Sequence, residues 1–194
     1  MTLNRHRRFP ERLAFTLNNR ITRFLSPPEE LISKLDIGKA DVVVDFGCGP
    51  SFFTIPLAKA AGKVIGIDVS PRMLERAASY ASRSKVPIEF VRSDGTDIRL
   101  GDDSVDMIFL NNVFHELEDR GKVLSEFLRI MKLSGRLAIV ERTGGRSILS
   151  GKLGPPIINE SEVLKELQRA GLTFVRTISH GKDSIIIAGK MAST

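Results

Sequence analysis

The chain has 194 residues, 42% hydrophobic and 27% charged, with a formal net charge of +6. That is the size and balance of one globular domain with enough chain for a full core. No apolar run approaches the roughly 18 residues of a membrane span, and the single cysteine, Cys48, excludes an intrachain disulfide and a cysteine metal cluster.

Charge is unevenly placed. Residues 1–25 hold Arg5, Arg7, Arg8, Arg12, Arg20 and Arg23 against one acid, Glu11, so the remainder is nearly neutral. Leu13, Leu17, Ile21 and Phe24 recur at helical spacing, which predicts an amphipathic helix in this basic arm. The N-terminus lacks the apolar stretch of a signal peptide, so a cytoplasmic location is the expectation. Arginines of this kind contact phosphates or anionic surfaces in some proteins, and more often form a solvated face.

Ser26-Pro27-Pro28-Glu29-Glu30 starts a helix expected to run to near Gly38. Val42-Val43-Val44-Asp45-Phe46 reads as a buried strand over about 41–46. Gly47-Cys48-Gly49-Pro50-Ser51 follows as a tight turn, then a helix from about 52 to 61. Glycine there lets a ligand approach the backbone and makes positive φ cheap. The turn opens onto a helix N-terminus, which favours an anionic group. A second strand, about 63–67, ends at Asp68, 23 residues after Asp45. An acid in that place suits a ribose with two hydroxyls.

Ser70-Pro71 starts a helix to about Arg83, and residues 86–92 form a third strand entered through Pro87. Residues 105–110 form strand four, and Asp119 to Met131 a helix. Leu133-Ser134-Gly135 turns the chain into strand five, 136–140. Residues 142–158 show no periodicity. Asn159 caps a last helix ending at Gly171, and residues 172–179 and 184–189 form a hairpin around His180-Gly181-Lys182-Asp183. Strands alternating with helices imply an α/β fold: a mostly parallel sheet, covered by helices on both faces, with a C-terminal β-hairpin. Ligands of such sheets lie beyond the carboxyl ends of the strands.

A dinucleotide fingerprint fails because Phe52 stands where G-x-G-x-x-G needs its third glycine. A P-loop fails because no Gly-Lys-Ser/Thr follows the turn. An acid, Gly-x-Gly, and a second acid after strand two do fit. With Gly66-Ile67-Asp68-Val69-Ser70-Pro71-Arg72-Met73-Leu74, Ser93-Asp94-Gly95-Thr96-Asp97-Ile98, Asp103-Ser104-Val105-Asp106 and Leu133-Ser134-Gly135-Arg136-Leu137, the chain resembles the class I S-adenosylmethionine-dependent methyltransferases. It looks closest to their small-molecule branch, which includes ubiquinone and menaquinone biosynthesis enzymes. The likeness covers about residues 26–190. It implies a Rossmann-like sheet of seven strands, a methyltransferase domain at 26–194, and an arm at 1–25 that covers the active site.

The resemblance implies S-adenosylmethionine as cofactor and no metal. Gly47 and Gly49 would cradle its aminoacyl part, with Asp45 and Cys48 in the same turn. Asp68, followed by Val69, would accept from the ribose hydroxyls. Asp94 would meet the adenine amino group, with the Gly95 N–H by a ring nitrogen, and Asn111 would lie by the methyl. Cys48 itself reads as a small packing residue. The family usually has a third glycine where Ser51 stands; a helix-capping role for that serine is expected. Candidates for a general base are His115, Glu116 and Glu141. The alternative for His115 is loop packing, and for Glu141 a pairing with Arg142 or the arm. The acceptor is expected between the arm and the 142–158 loop, and it is expected to be a small molecule. No Asn/Asp-Pro-Pro-Tyr follows strand four, which argues against amino methylation of bases. The lone cysteine argues against arsenic methylation. RNA methylation through residues 1–25, or a non-catalytic cofactor- or RNA-binding module, is the alternative.

Overall fold

A computed structural model describes residues 27–144 and 156–190. The strands are β1 Val42–Phe46, β2 Lys63–Asp68, β3 Glu89–Arg92, β4 Val105–Asn111, β5 Met131–Arg142, β6 Leu172–His180 and β7 Asp183–Lys190. They form one seven-stranded sheet in the order β3-β2-β1-β4-β5-β7-β6. Pairing is parallel from β3 across to β5, and β7 runs antiparallel to both neighbours, β5 and β6. This is the expected α/β architecture, with the hairpin inserted so that its second strand lies innermost.

The helices are α1 Pro28–Ile32, α2 Thr54–Ala60, α3 Pro71–Ser84, α4 Arg120–Ile130 and α5 Glu160–Arg169. The unbroken apolar runs of the strands follow from burial on both faces. One face carries Val44, Ile67, Ile108, Leu137 and Ile139 against Val123, Leu124 and Phe127 of α4 and Val163 and Leu167 of α5. The ring of Phe127 meets Phe46 edge-on at 5.1 Å between centroids. The other face sets Val43, Val64, Met107, Phe109, Ala138 and Val140 against Leu31 and Ile32 of α1, Leu35, and Leu57 of α2.

Several boundaries differ from the sequence expectation. Helix α1 stops at Ile32 instead of near Gly38. The Ser33 hydroxyl donates to the Glu30 carbonyl, and the N–H groups of Lys34 and Leu35 donate to the carbonyls of Leu31 and Ile32, which tightens and ends the helix. Strand β3 begins at Glu89, two residues after Pro87, whose ring nitrogen has no N–H for a sheet ladder. Helix α2 begins at Thr54, because residues 51–53 belong to the turn.

Strand β5 departs most. It leaves α4 directly at Met131, absorbs Leu133–Gly135 as an irregularity between the Val105–Met131 and Met107–Arg136 pairs, and continues to Arg142. Glu141 and Arg142 are held in the strand by Ser184 and Asp183 of β7. Among the described residues, no helix is long and apolar enough to cross a membrane.

Candidate active site

The chain winds from β1 to β2 and β3 on one side, then crosses to β4 and β5 on the other. The loops after β1 and β4 therefore part at the carboxyl edge and leave a crevice there. The first wall is the turn after β1. Gly47, Gly49 and Ser51 all have positive φ, at 72°, 49° and 66°. The N–H groups of Gly47 and Cys48 both donate to the Ile67 carbonyl, at 2.8 and 2.9 Å, which folds the turn over β2. A Cβ on Gly47 would come within 2.4 Å of Val113, so the loop after β4 requires glycine there. Gly49 is different: a Cβ would meet nothing within 4 Å and would project into open space.

Asp68 closes the turn from the tip of β2. Its Oδ2 accepts from the Gly49 N–H and its Oδ1 from the Ser70 N–H, each at 2.9 Å. Ser70 in turn caps α3 by accepting from the Met73 N–H at 3.3 Å. The next residue, Val69, offers its carbonyl to Arg92 at 3.3 Å. Cys48 is buried, and burial pushes its thiol well above the ordinary range, so it is the expected packing residue.

Asp45 lies beneath the turn, buried, and accepts the Thr54 hydroxyl at 2.6 Å. Burial raises its pKa to about 7, the Thr54 hydrogen bond opposes the rise, and the Asp68 charge adds to it. Ser51 does not cap α2. The cap position is Phe53, with no side-chain hydrogen bond, and the Ser51 hydroxyl is buried without a partner. Serine there combines a left-handed backbone with an unsatisfied hydroxyl.

Asp94 is exposed after β3, where its Oδ1 accepts from the Thr96 N–H and hydroxyl at 3.0 and 2.8 Å. The Gly95 N–H, expected to face a ring nitrogen, instead donates to the Ser93 hydroxyl at 2.9 Å. Packing is what Gly95 serves: a Cβ there would lie 2.7 Å from the Phe46 ring. Asn111 ends β4 opposite Val140.

The second wall follows β4. Asn112 takes φ of 54° and donates its N–H to Val140, and a 3-10 turn, Phe114–Glu116, comes next. Two candidates meet here. Glu141 Oε2 lies 2.8 Å from His115 Nδ1, and Oε1 accepts the His115 N–H at 3.2 Å. The Glu141 side chain is 0% exposed and that of His115 12%. Among the described residues Glu141 is thus paired with His115 and not with Arg142, one of its two expected alternative partners; the other, the arm, lies outside them. A carboxylate accepts, so His115 Nδ1 is the donor of this pair and Nε2 lies outside it. Glu116 sits 3.9 Å from that Nε2, beyond hydrogen-bond distance.

A polar cavity of about 560 Å³ adjoins the ends of β4 and β5, lined among others by Lys34, Asn112, Arg142, His180 and Asp183. Sequence reading missed it. Its walls come from α1, β4, β5 and the hairpin tip, far apart in the chain. His180, assigned no role from sequence, accepts from Lys34 Nζ at 2.9 Å. The expected covers, residues 1–25 and most of the 142–158 loop, lie outside the described residues.

Residues 44–139 match the family described as a methyltransferase domain. The chain is similar to a SAM-dependent methyltransferase from Aquifex aeolicus, with TM-score 0.82 and 28% identity, covering 94% of this chain and 98% of that one. It is 28% identical to a demethylmenaquinone methyltransferase of Lactobacillus johnsonii, over 58% of this chain and 48% of that protein. It is 35% identical to a malonyl-[acyl-carrier protein] O-methyltransferase of Legionella pneumophila, over 49% of this chain and 34% of that protein. The matched part is a half or less of such curated relatives.

Two outcomes follow from the turn. Ser51→Gly is expected to stabilise the fold by roughly 1 kcal/mol, since it removes both the strained φ and the unsatisfied hydroxyl; urea unfolding measures it, and destabilisation would contradict the account. Asp45 carries a pH dependence. Its folded pKa of about 7 exceeds the ordinary value of 3.8. The folded state therefore holds more protons between those values, and stability falls as pH rises through that window, by up to roughly 4 kcal/mol. Unfolding at pH 5 and pH 8 should show the loss in the wild type and a much smaller one in Asp45→Asn.

Proposed function

We propose that this chain, whose residues 44–139 match the methyltransferase-domain family and whose fold is that of a SAM-dependent methyltransferase from Aquifex aeolicus, moves a methyl group from S-adenosylmethionine to a small-molecule acceptor. The observation that carries the reading is the turn after β1, tied to Asp68, with an open place above Gly49. A ligand can lie against a backbone that presents no Cβ there. When bound, the cofactor supplies an electrophilic methyl on a sulfonium, so the protein's share is binding, alignment and proton handling.

In this reading Gly47 and Gly49 shape the floor of the site, with Asp45 and Cys48 beneath it. Asp68 accepts hydrogen bonds from ribose hydroxyls; a carboxylate has capacity for several donors. Asp94 faces the adenine amino group, and Val69 lines the same edge. Asn111 borders the methyl end. His115 takes a proton from the acceptor at Nε2, and Glu141 holds the ring and stabilises the imidazolium that results. Glu116 lies near that nitrogen and adds negative charge beside it. An arm formed by residues 1–25 closing over a domain at 26–194 belongs to the same proposal.

Calorimetry should show S-adenosylmethionine binding to the wild type and at least about tenfold weaker binding to Asp68→Ala, the loss of charge-assisted hydrogen bonds. No binding by the wild type would sink the enzyme reading. His115→Asn should lower kcat by roughly 10²–10⁴ with cofactor affinity unchanged, and Glu141→Gln should lower it in the same direction with a displaced pH profile. Label from the cofactor should pass into the small-molecule fraction of a cell extract; label confined to RNA would replace the substrate class.

A further inference from the structure

The cavity beside β4 and β5 contains a feature that the methyl-transfer reading does not use. Oδ1 of Asn112 and Nε of Arg142 are both buried, and neither has a hydrogen-bond partner. Both residues line this one cavity. Buried polar atoms without partners are rare, and one acceptor and one donor on residues that line the same cavity point to a ligand that satisfies both. Among the described residues the third such atom is the Ser51 hydroxyl, which belongs to the turn before α2.

Topology explains how Arg142 comes to be there. It follows Glu141 in β5, so the two side chains leave opposite faces of the sheet. Glu141 goes to His115, and Arg142 goes to the face covered by α1 and the hairpin tip. The cavity has Lys34, Arg142 and Lys182 as cations, and Glu30 and Asp183 as acids. Lys34 Nζ lies 2.9 Å from His180 Nδ1. One cation is left in excess. Asp183 pairs across the strands with Arg142, and no hydrogen bond joins their side chains. Burial raises the Asp183 carboxyl above its usual range, and the charge of Arg142 opposes the rise.

We propose that this cavity receives the methyl acceptor through a carboxylate held by Arg142, while Asn112 Oδ1 accepts an O–H or N–H of the same molecule. The inference rests on the reading of the chain as a methyltransferase with its acceptor beside β4. The edge of a guanidinium presents Nε–H and a neighbouring N–H in parallel, which matches the two oxygens of a carboxylate. A single excess positive charge suits a monoanionic group; the acids at Glu30 and Asp183 disfavour a phosphate dianion. Arg142 is then a specificity-determining residue.

The test uses the full chain saturated with S-adenosylhomocysteine, and malonate as probe. Arginine Nε–H resonances are followed by nitrogen-15 NMR, with malonamide as the uncharged control and inorganic phosphate as the competing anion. Malonate should move one Nε–H resonance saturably, and that resonance should be absent in Arg142→Lys. Malonamide should leave it in place. Arg142→Lys and Asn112→Asp should each weaken malonate by at least about tenfold, with S-adenosylhomocysteine affinity kept within about twofold. Unchanged malonate affinity in Arg142→Lys, no shift with malonate in the loaded protein, or tighter binding of phosphate than malonate would each overturn the proposal. Failure of the wild type to bind S-adenosylhomocysteine would instead overturn the methyltransferase reading on which it rests.

Discussion

The site depends on one carboxylate tied to two loops. Asp68 accepts a backbone N–H from the turn after β1 and another from the residue that caps α3. A charged acceptor makes stronger hydrogen bonds than a neutral one, so the two loops are held in register by one side chain. The Ile67 carbonyl adds a second tie by accepting from Gly47 and Cys48. The turn can therefore keep three alternate positive-φ positions, at 47, 49 and 51, without a side-chain cap on the helix it precedes.

The same turn shows how strain gathers at a site. Gly47 is forced to be glycine by Val113, a residue from the far side of the crevice. Ser51 adopts a conformation that glycine would take more cheaply, and its hydroxyl finds no partner. Asp45 is buried beneath, close enough to Asp68 for the two charges to repel. These costs are carried by a core that is closed on both faces of the sheet.

The other wall is organised by the length of β5. Glu141 and Arg142 are polar residues at the end of an apolar run, where a strand would be expected to stop. Pairing with Ser184 and Asp183 of the inserted β7 keeps both in the sheet. Strand alternation then sends one carboxylate to His115 and one guanidinium to the opposite face. A carboxylate set against an imidazole and a guanidinium whose Nε has no hydrogen-bond partner thus arise from two adjacent residues.

Much of the fold was legible in the chain because its signals are local. Three β-branched residues before Asp45, the prolines at helix starts, and the serine and asparagine caps at Ser70 and Asn159 act within a few residues of themselves. The motifs that carry the resemblance, and with it the methyl donor it implies, are legible for the same reason, since Gly47, Gly49 and Asp68 lie within one strand–helix–strand unit. The end of α1, the extension of β5 and the insertion of β7 were not legible, because hydroxyl competition and distant pairing decide them. Sequence put His115 and Glu141 forward separately, and only the parallel pairing of β4 with β5 sets them 2.8 Å apart. It read Ser51 as a cap and the Gly95 N–H as available, whereas the backbone geometry of the turn and the Ser93 hydroxyl settle both otherwise. The sequence by itself determined the order of strands and helices along the chain and the motifs of the turn after β1. Tertiary structure alone decided which polar groups meet at the carboxyl edge, because those meetings join residues 26 to more than 140 positions apart along the chain.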